Sequence, residues 1–425
     1  MIDFGGRGGA FARMFGSAIV MQALLSATNL AVGLILIRRT TDEQYGYYVL
    51  TLNVIILVTA LQNAFIQTHL VVRMTGTSAA AQADLIGGVY RDQRRLWPAF
   101  AALAVLGILL CRLAKVFDQP EVYVALAALV AVLASLFREF FRMVLLAFRK
   151  PGDVLRADVA YAILLIVGVM IATLTPAPAI AAAGSLAVAA IIGGLSCHAA
   201  LWRWAPWNIR GAPGILVAIA PLGFWTAAGS AIHWLFSQGY NFLVAGMLGV
   251  GSVAAISATR ILIMPVNLLS TGIGNLMLPT ISNWLHNHSA PVVLKRQMLI
   301  AGSLATAALC YFALLWVFRD WLFLAVLKKD IAQRDQLLML WYGVGLLMLL
   351  RDQFVYLLLS RSRFRILTVL TFVSALIALC SSYVGIQQMG AAGALVGVLF
   401  GEIVNVGGLL ILSLRETKKG SLAPV

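Results

Sequence analysis

Twelve apolar runs, each long enough to cross a hydrocarbon layer, leave this 425-residue chain few ways to fold. They fall at about 14–37, 46–70, 96–116, 121–148, 157–175, 179–202, 214–247, 252–284, 297–318, 336–360, 364–386 and 390–414. Only 11% of the residues are charged, where a soluble domain carries roughly 25%. Within lipid, backbone polar groups have to be satisfied inside the spanning segment, so the expectation is an all-α polytopic membrane protein. The first run exceeds the h-region of a signal peptide and should stay as an anchor. No extramembrane stretch exceeds about twenty residues, which leaves no room there for a soluble catalytic domain. The longest cytoplasmic one, from Arg73 to Arg95, reads as a turn holding a short interfacial helix that begins at Ala79.

The net charge is +15, from 31 Lys and Arg against 16 Asp and Glu. In a soluble chain that excess would suggest nucleic acid; in this one basic turns are first explained by topology and anionic lipid. With twelve spans, 19 basic residues fall on the side of the two tails, 8 on the other side and 4 inside spans. By the positive-inside rule both termini are cytoplasmic. The four cysteines stand singly in apolar segments, without the spacing of a disulfide framework or a metal knuckle.

The four intramembrane basic residues are Arg138, Arg142, Arg260 and Arg351. Arg138-Glu139 recurs 213 positions later as Arg351-Asp352, and Phe141 falls on Phe354. Each pair lies about 15 Å, at 1.5 Å per residue, from the arginine that closes its span, which is half a bilayer core. Gly193-Gly194-Leu195 likewise matches Gly407-Gly408-Leu409 at an offset of 214. Six spans per half preserve orientation, so the chain reads as parallel repeats, a lobe at 1–205 and another at 206–425, around a central cavity.

Ionised groups at the midplane cost at least ~2.5 kcal/mol each and usually face a bundle interior or a wet cavity. Arg138, Glu139 and Arg142 stand at i, i+1 and i+4, so Glu139 can pair with Arg142. That leaves one positive charge over, which favours a cavity-lining role over a self-neutralised cluster. Arg351 and Asp352 balance each other and fit either reading. Arg260 precedes Pro265, whose missing N–H bends a helix, so it suits a gate or a binding helix as well as snorkelling to the interface. Glu402 stands alone in its span, after Gly393, Gly397 and Gly401, a ladder that permits close helix packing. It is the candidate for carrying a coupling H⁺ or Na⁺, or else a protonated carboxyl bonded to a neighbour.

The histidines carry little: His286 and His288 lack a third ligand, and His69, His198 and His233 are isolated, at span ends or in packed positions. There is no P-loop, no nucleophile constellation and no resident cofactor or metal to expect.

The start of the chain, Gly16 through Gln22 to Ser26, with Asn29, Gly33 and Arg38, followed by Glu43-Gln-Tyr-Gly-Tyr-Tyr48, resembles bacterial polysaccharide-biosynthesis membrane proteins. Met277-Leu-Pro-Thr-Ile-Ser282 resembles the end of their eighth span. These are the O-antigen and exopolysaccharide flippases of the multidrug/oligosaccharidyl-lipid/polysaccharide (MOP) exporter superfamily. The resemblance implies two six-helix lobes, alternating access, and transfer of an undecaprenyl-diphosphate-linked oligosaccharide across the inner membrane. It would assign Arg138, Arg142, Arg260 and Arg351 to the anionic diphosphate or acidic sugars, with Glu139 and Asp352 beside them. Membrane lipids, a polysaccharide polymerase and glycosyltransferases are the partners it implies; nucleic acid is not among them. The first span holds no Asp or Glu, unlike many drug exporters of that superfamily, and twelve spans are fewer than the fourteen of its peptidoglycan-precursor branch. Two rivals remain: a small-molecule exporter of the same fold, and a membrane glycosyltransferase or polymerase using Asp42-Glu43 in the first outer turn. For the topology, a fluorescent protein fused after Val425 should mature in the cytoplasm, whereas a periplasmic phosphatase fused there should stay inactive.

Overall fold

The computed structural model describes residues 4–74, 77–204, 207, 211–361 and 363–420, and in them the chain is helical throughout. The elements are α1 (Phe4–Arg39), α2 (Asp42–Met74), α3 (Ala79–Leu113), α4 (Gln119–Ala147), α5 (Pro151–Ala172), α6 (Pro178–Trp204) and α7 (Ile215–Leu248). After them come α8 (Val250–Ile261), α9 (Met264–Asn287), α10 (Ala290–Val317), α11 (Arg319–Trp321) with a π-turn at Leu322–Leu327, α12 (Arg334–Ser360), α13 (Phe364–Met389) and α14 (Ala391–Gly420). Eleven helices among the described residues are long and apolar enough to cross a membrane. The eighth expected span is broken: α8 and the first part of α9 meet at 61°, and a proline, Pro265, stands in the first turn of α9. Counted as one bent span they make twelve.

The helices form two compact units, Met1–Thr40 with Tyr47–Ala231, and Thr41–Gly46 with Ile232–Val425. The expected 205/206 division lies outside the described residues, and the units part inside α7 instead. The first half of α7 is bonded into unit 1: Thr226 Oγ1 donates to the Ala64 carbonyl at 2.7 Å, and the Leu216 N–H donates to Asp92 at 3.2 Å. Gly223 of the same stretch lies flat against the Phe65 ring, where a Cβ would come within 2.9 Å.

In unit 1, α6 packs on α4 and α5 through a face of small residues, Ala182, Ala183, Ala189, Ala190, Gly193 and Gly194, all buried. At one end of this sandwich Tyr90, Phe140, Phe141, His198 and Trp207 form an aromatic cluster with ring centroids 5.0–5.6 Å apart. Tyr90 reaches it from α3. The expected interfacial helix and third span are therefore one continuous 35-residue helix. Its first half is held by Ile86, Val89 and Tyr90 in that core, and its second half presents Leu103, Leu106, Leu110 and Leu113 outward. Exposed leucines on that scale suit lipid rather than water.

In unit 2, α14 packs on α13 and α12 as α6 does on α5 and α4. Gly385 and Gly393 meet backbone to backbone, Gly397 lies on Ser382, and Gly401 fits between Ala378, Phe236 and the Ser374 carbonyl. Ser382 Oγ donates to the Ala394 carbonyl at 2.8 Å, adding a polar bond to the close approach. The segment Thr41–Gly46 also belongs to this unit: Asp42 is ion-paired with Lys329 at 2.5 Å, and Gly46 abuts the carbonyl of Val250. Because a single methyl at Gly393 or Gly397 meets backbone atoms, Gly393→Ala or Gly397→Ala should destabilise the purified protein by about 1–3 kcal/mol. Gly407→Ala, with no heavy atom within 4 Å of the added methyl, should not lower its melting temperature.

Candidate functional site

Arg138 and its neighbours are set by the two helices that meet at the α4–α5 turn. A capping box, Asp118 with Glu121, starts α4, and Pro151 starts α5. On α6, Gly193 and Gly194 leave the room that the Arg138 side chain and backbone fill; a Cβ on Gly193 would lie 3.3 Å from Arg138 Cδ. The guanidinium of Arg138 donates from Nη2 to Asp158 Oδ1 at 2.6 Å and lies 3.8 Å above the Tyr161 ring. Arg142 donates from Nε to Asp158 Oδ2 at 3.2 Å and from Nη1 to Glu139 Oε1 at 3.3 Å. Asn63 of α2 donates to the same Glu139 oxygen at 3.1 Å.

Asp158, wholly buried, corrects the sequence reading of this cluster. Two arginines face two carboxylates, so no positive charge is left over. A buried ion network of this kind is stable only when its charges and hydrogen bonds are closed, and here they nearly are, with Arg138 Nε the buried nitrogen left without a partner. Asp158 was findable, being the sole acid in the fifth apolar run. Its pairing was not, since it sits twenty residues from Arg138 on another helix.

The matching position in unit 2 is built differently. Arg351 donates from Nη1 to Glu402 Oε1 at 2.7 Å, and from Nε and Nη2 to Asp352 Oδ1 at 3.1 and 3.0 Å. Ser270 of α9 donates to Asp352 Oδ2 at 2.7 Å. Glu402, which the sequence left alone, is thus bound to Arg351 across the α12–α14 contact, directly after the glycine ladder that seats α14 on α13. Its other oxygen, Oε2, is buried without a hydrogen-bond partner. Arg351 and Asp352 line a cavity of about 280 Å³ with His233, Asn267, Ser270 and Tyr356. His233, read from sequence as an isolated residue, is therefore on the cavity wall. Two carboxylates and one guanidinium leave this cluster one negative charge in excess.

Arg260 stands apart from both clusters. It donates to Gln238 Oε1 at 2.8 Å and to the Tyr240 hydroxyl at 3.4 Å, with the Trp341 ring 5.3 Å away. Among the described residues no carboxylate is ion-paired with it, so neutral dipoles and a π-face hold its charge. Among the described residues, too, no three His, Cys, Asp or Glu side chains gather as a metal site.

The family model described as polysaccharide biosynthesis protein matches residues 35–329. No curated protein matches the chain in sequence. Among solved structures, an inward-facing multidrug resistance MATE family transporter of the MOP superfamily is 14% identical. It superposes with a TM-score of 0.76 over 97% of this chain and 100% of that one. An outward-facing structure described in the same terms scores 0.65 at 14% identity, over 98% of this chain and 97% of the other. A MOP superfamily transporter from Pyrococcus furiosus, described as having a binding pocket of reverse polarity, scores 0.66 at 14% identity, over 96% and 95% of the two chains. With its full set of spanning helices in that fold, the chain is a multi-pass membrane protein that belongs to the polysaccharide biosynthesis protein family.

Proposed function

We propose that the protein is a transporter that moves an undecaprenyl-diphosphate-linked oligosaccharide from the inner to the outer leaflet of the bacterial inner membrane by alternating access. The observation that carries the reading is Arg351 on the wall of a polar cavity inside a membrane-spanning unit. A guanidinium stays charged at any depth and offers a planar fork that matches two phosphate oxygens, so it suits the diphosphate. A cavity of about 280 Å³ takes such a charged group and not a whole glycan. Arg260, held by neutral partners alone, is the second cation able to receive an anion. Arg138 and Arg142 are taken up by Asp158 and Glu139, which makes them the scaffold of unit 1 in this reading rather than ligands of the cargo.

A glycosyltransferase or polymerase would need a carboxylate free to act as a base. Of Asp42-Glu43, the pair the sequence offers for that role, Asp42 is ion-paired with Lys329. A glycan-extending enzyme and a carrier of small amphipathic compounds are the two outcomes that would displace the proposal.

The test is reconstitution in liposomes with a fluorescent lipid-diphosphate oligosaccharide. Wild-type protein should move the probe between leaflets with no change in its mass, and lengthening of the glycan would mark an enzyme instead. Arg351→Lys, which keeps the charge and loses the fork, should cut transfer by about tenfold or more, in keeping with ~1.5–3 kcal/mol for a hydrogen bond to a charged group. Full transfer by Arg351→Lys and by Arg260→Gln together would remove the cavity from the mechanism. In cells, Arg351→Ala should abolish surface polysaccharide while the protein still inserts in the membrane.

A further inference from the structure

Arg351 faces the cavity already occupied. Two of its nitrogens bond Asp352 and the third bonds Glu402, which leaves one N–H on Nη1 and one on Nη2, so an incoming anion meets a guanidinium whose charge is already shared between two carboxylates. The two carboxylates are not alike. Asp352 is itself fixed by Ser270 and partly open to the cavity, whereas Glu402 is 3% exposed and one of its oxygens meets no donor. The cluster also carries one negative charge too many, in contrast to the balanced set around Arg138. A carboxylate in that position, short of a donor and in excess, is the natural place for a proton.

We propose that Glu402 exchanges its bond to Arg351 for a proton, so that the cavity takes a phosphate-class anion on Arg351 together with one proton on Glu402. Glu402 stands behind Arg351 and not on the cavity wall, so the proton has to pass Arg351 to form an O–H on the Glu402 carboxyl; the Arg351 Nη1 hydrogen bond to that carboxylate breaks and reforms to an anion oxygen. No other bond changes; a singly charged anion that binds with its proton leaves the site's net charge as it was, and a doubly charged one such as sulfate makes it one unit more negative. The inference rests on the cavity role given to Arg351 above. Binding of the anion and of the proton are then linked, each strengthening the other by the same factor.

Other groups near the site are accounted for. His233 faces the cavity from α7, Asn267 and Ser270 from α9, and Asp352 and Tyr356 from α12. Arg260 of α8 is bonded to Gln238 and Tyr240, Lys295 of α10 and Arg365 of α13 are exposed, and Arg296 of α10 lies 5.5 Å from the Trp284 ring. His233 and Asp352 are thus the rival carriers of the proton on the cavity wall.

The experiment is calorimetric titration of the purified full-length protein with sulfate, whose charge is fixed across the neutral range, in buffers of different ionisation enthalpy. Wild-type protein should take up about one proton per sulfate, with affinity rising up to tenfold per unit fall in pH. Glu402→Gln should bind sulfate with no proton uptake and no pH slope, and His233→Gln should keep both. The double variant Arg351→Gln/Glu402→Gln removes both buried charges together, so neither is left unpaired, and should lose this binding while keeping any at other basic surfaces. Proton uptake that persists in Glu402→Gln, or vanishes in His233→Gln, overturns the exchange. Sulfate binding that needs Arg351 but takes up no proton also overturns it and leaves the cavity reading standing. If the double variant binds as wild type does, the cavity reading itself fails.

Discussion

Charge balance inside a low-dielectric slab is the constraint from which the rest of this structure follows. A lone guanidinium or carboxylate among spanning helices is expensive, so one that is kept has to find a counter-charge or, as Arg260 does, neutral dipoles and an aromatic face on neighbouring residues. Asp158 answers Arg138 and Arg142, and Glu402 answers Arg351. Those answers require close helix approach, and the small residues supply it: Gly193 and Gly194 beside α4 in one unit, and Gly393, Gly397 and Gly401 beside α13 in the other. Packing and electrostatics are one design here, since a bulkier residue in the glycine ladder would move α14 and with it the oxygen that holds Arg351.

The two units share a plan and depart from it at the charged positions. In each, the sixth span of the half lies against the fourth and fifth, as α6 does on α4 and α5, and α14 on α12 and α13. The repeated basic-acidic pair occupies the same place on α4 and α12. Its outside partner does not: Asp158 comes from the fifth span of its half, while Glu402 comes from the sixth. One cluster has two arginines and closes on itself; the other has a single arginine, an excess carboxylate and a cavity. The repeated basic-acidic pair accounts for the likeness, and Val355 at the position equivalent to Arg142 accounts for much of the difference.

What could be read in advance followed from periodicity and length. Apolar runs gave the spans because a helix is the one open-chain solution in lipid. The offset of 213 gave the repeat, and Pro265 gave the bend. The pairing of charges was not legible, because Asp158 and Glu402 reach their partners from other helices, 20 and 51 residues away, and no local pattern encodes that. Nor was the continuity of α3, since polar residues from Arg91 to Arg95 look like a turn when their neighbours are unknown. In the fold, Tyr90 and Gln93 of that stretch are buried against unit 1, and the helix passes straight through.

The first turn of α2 shows how packing and pairing bear on chemistries that a motif leaves open. Asp42-Glu43 before Tyr45-Gly46 could serve as a catalytic carboxylate pair or as a structural plug. Asp42 is 2.5 Å from Lys329, Gly46 lies against the Val250 carbonyl with no space for a side chain, and Tyr45 is buried. A general base needs access to its substrate's proton and a carboxylate not already neutralised by an ammonium. Asp42 is exposed and fails only the second requirement, so its ion pair weighs against a base there, and the weight of function shifts to Arg351 on the cavity wall.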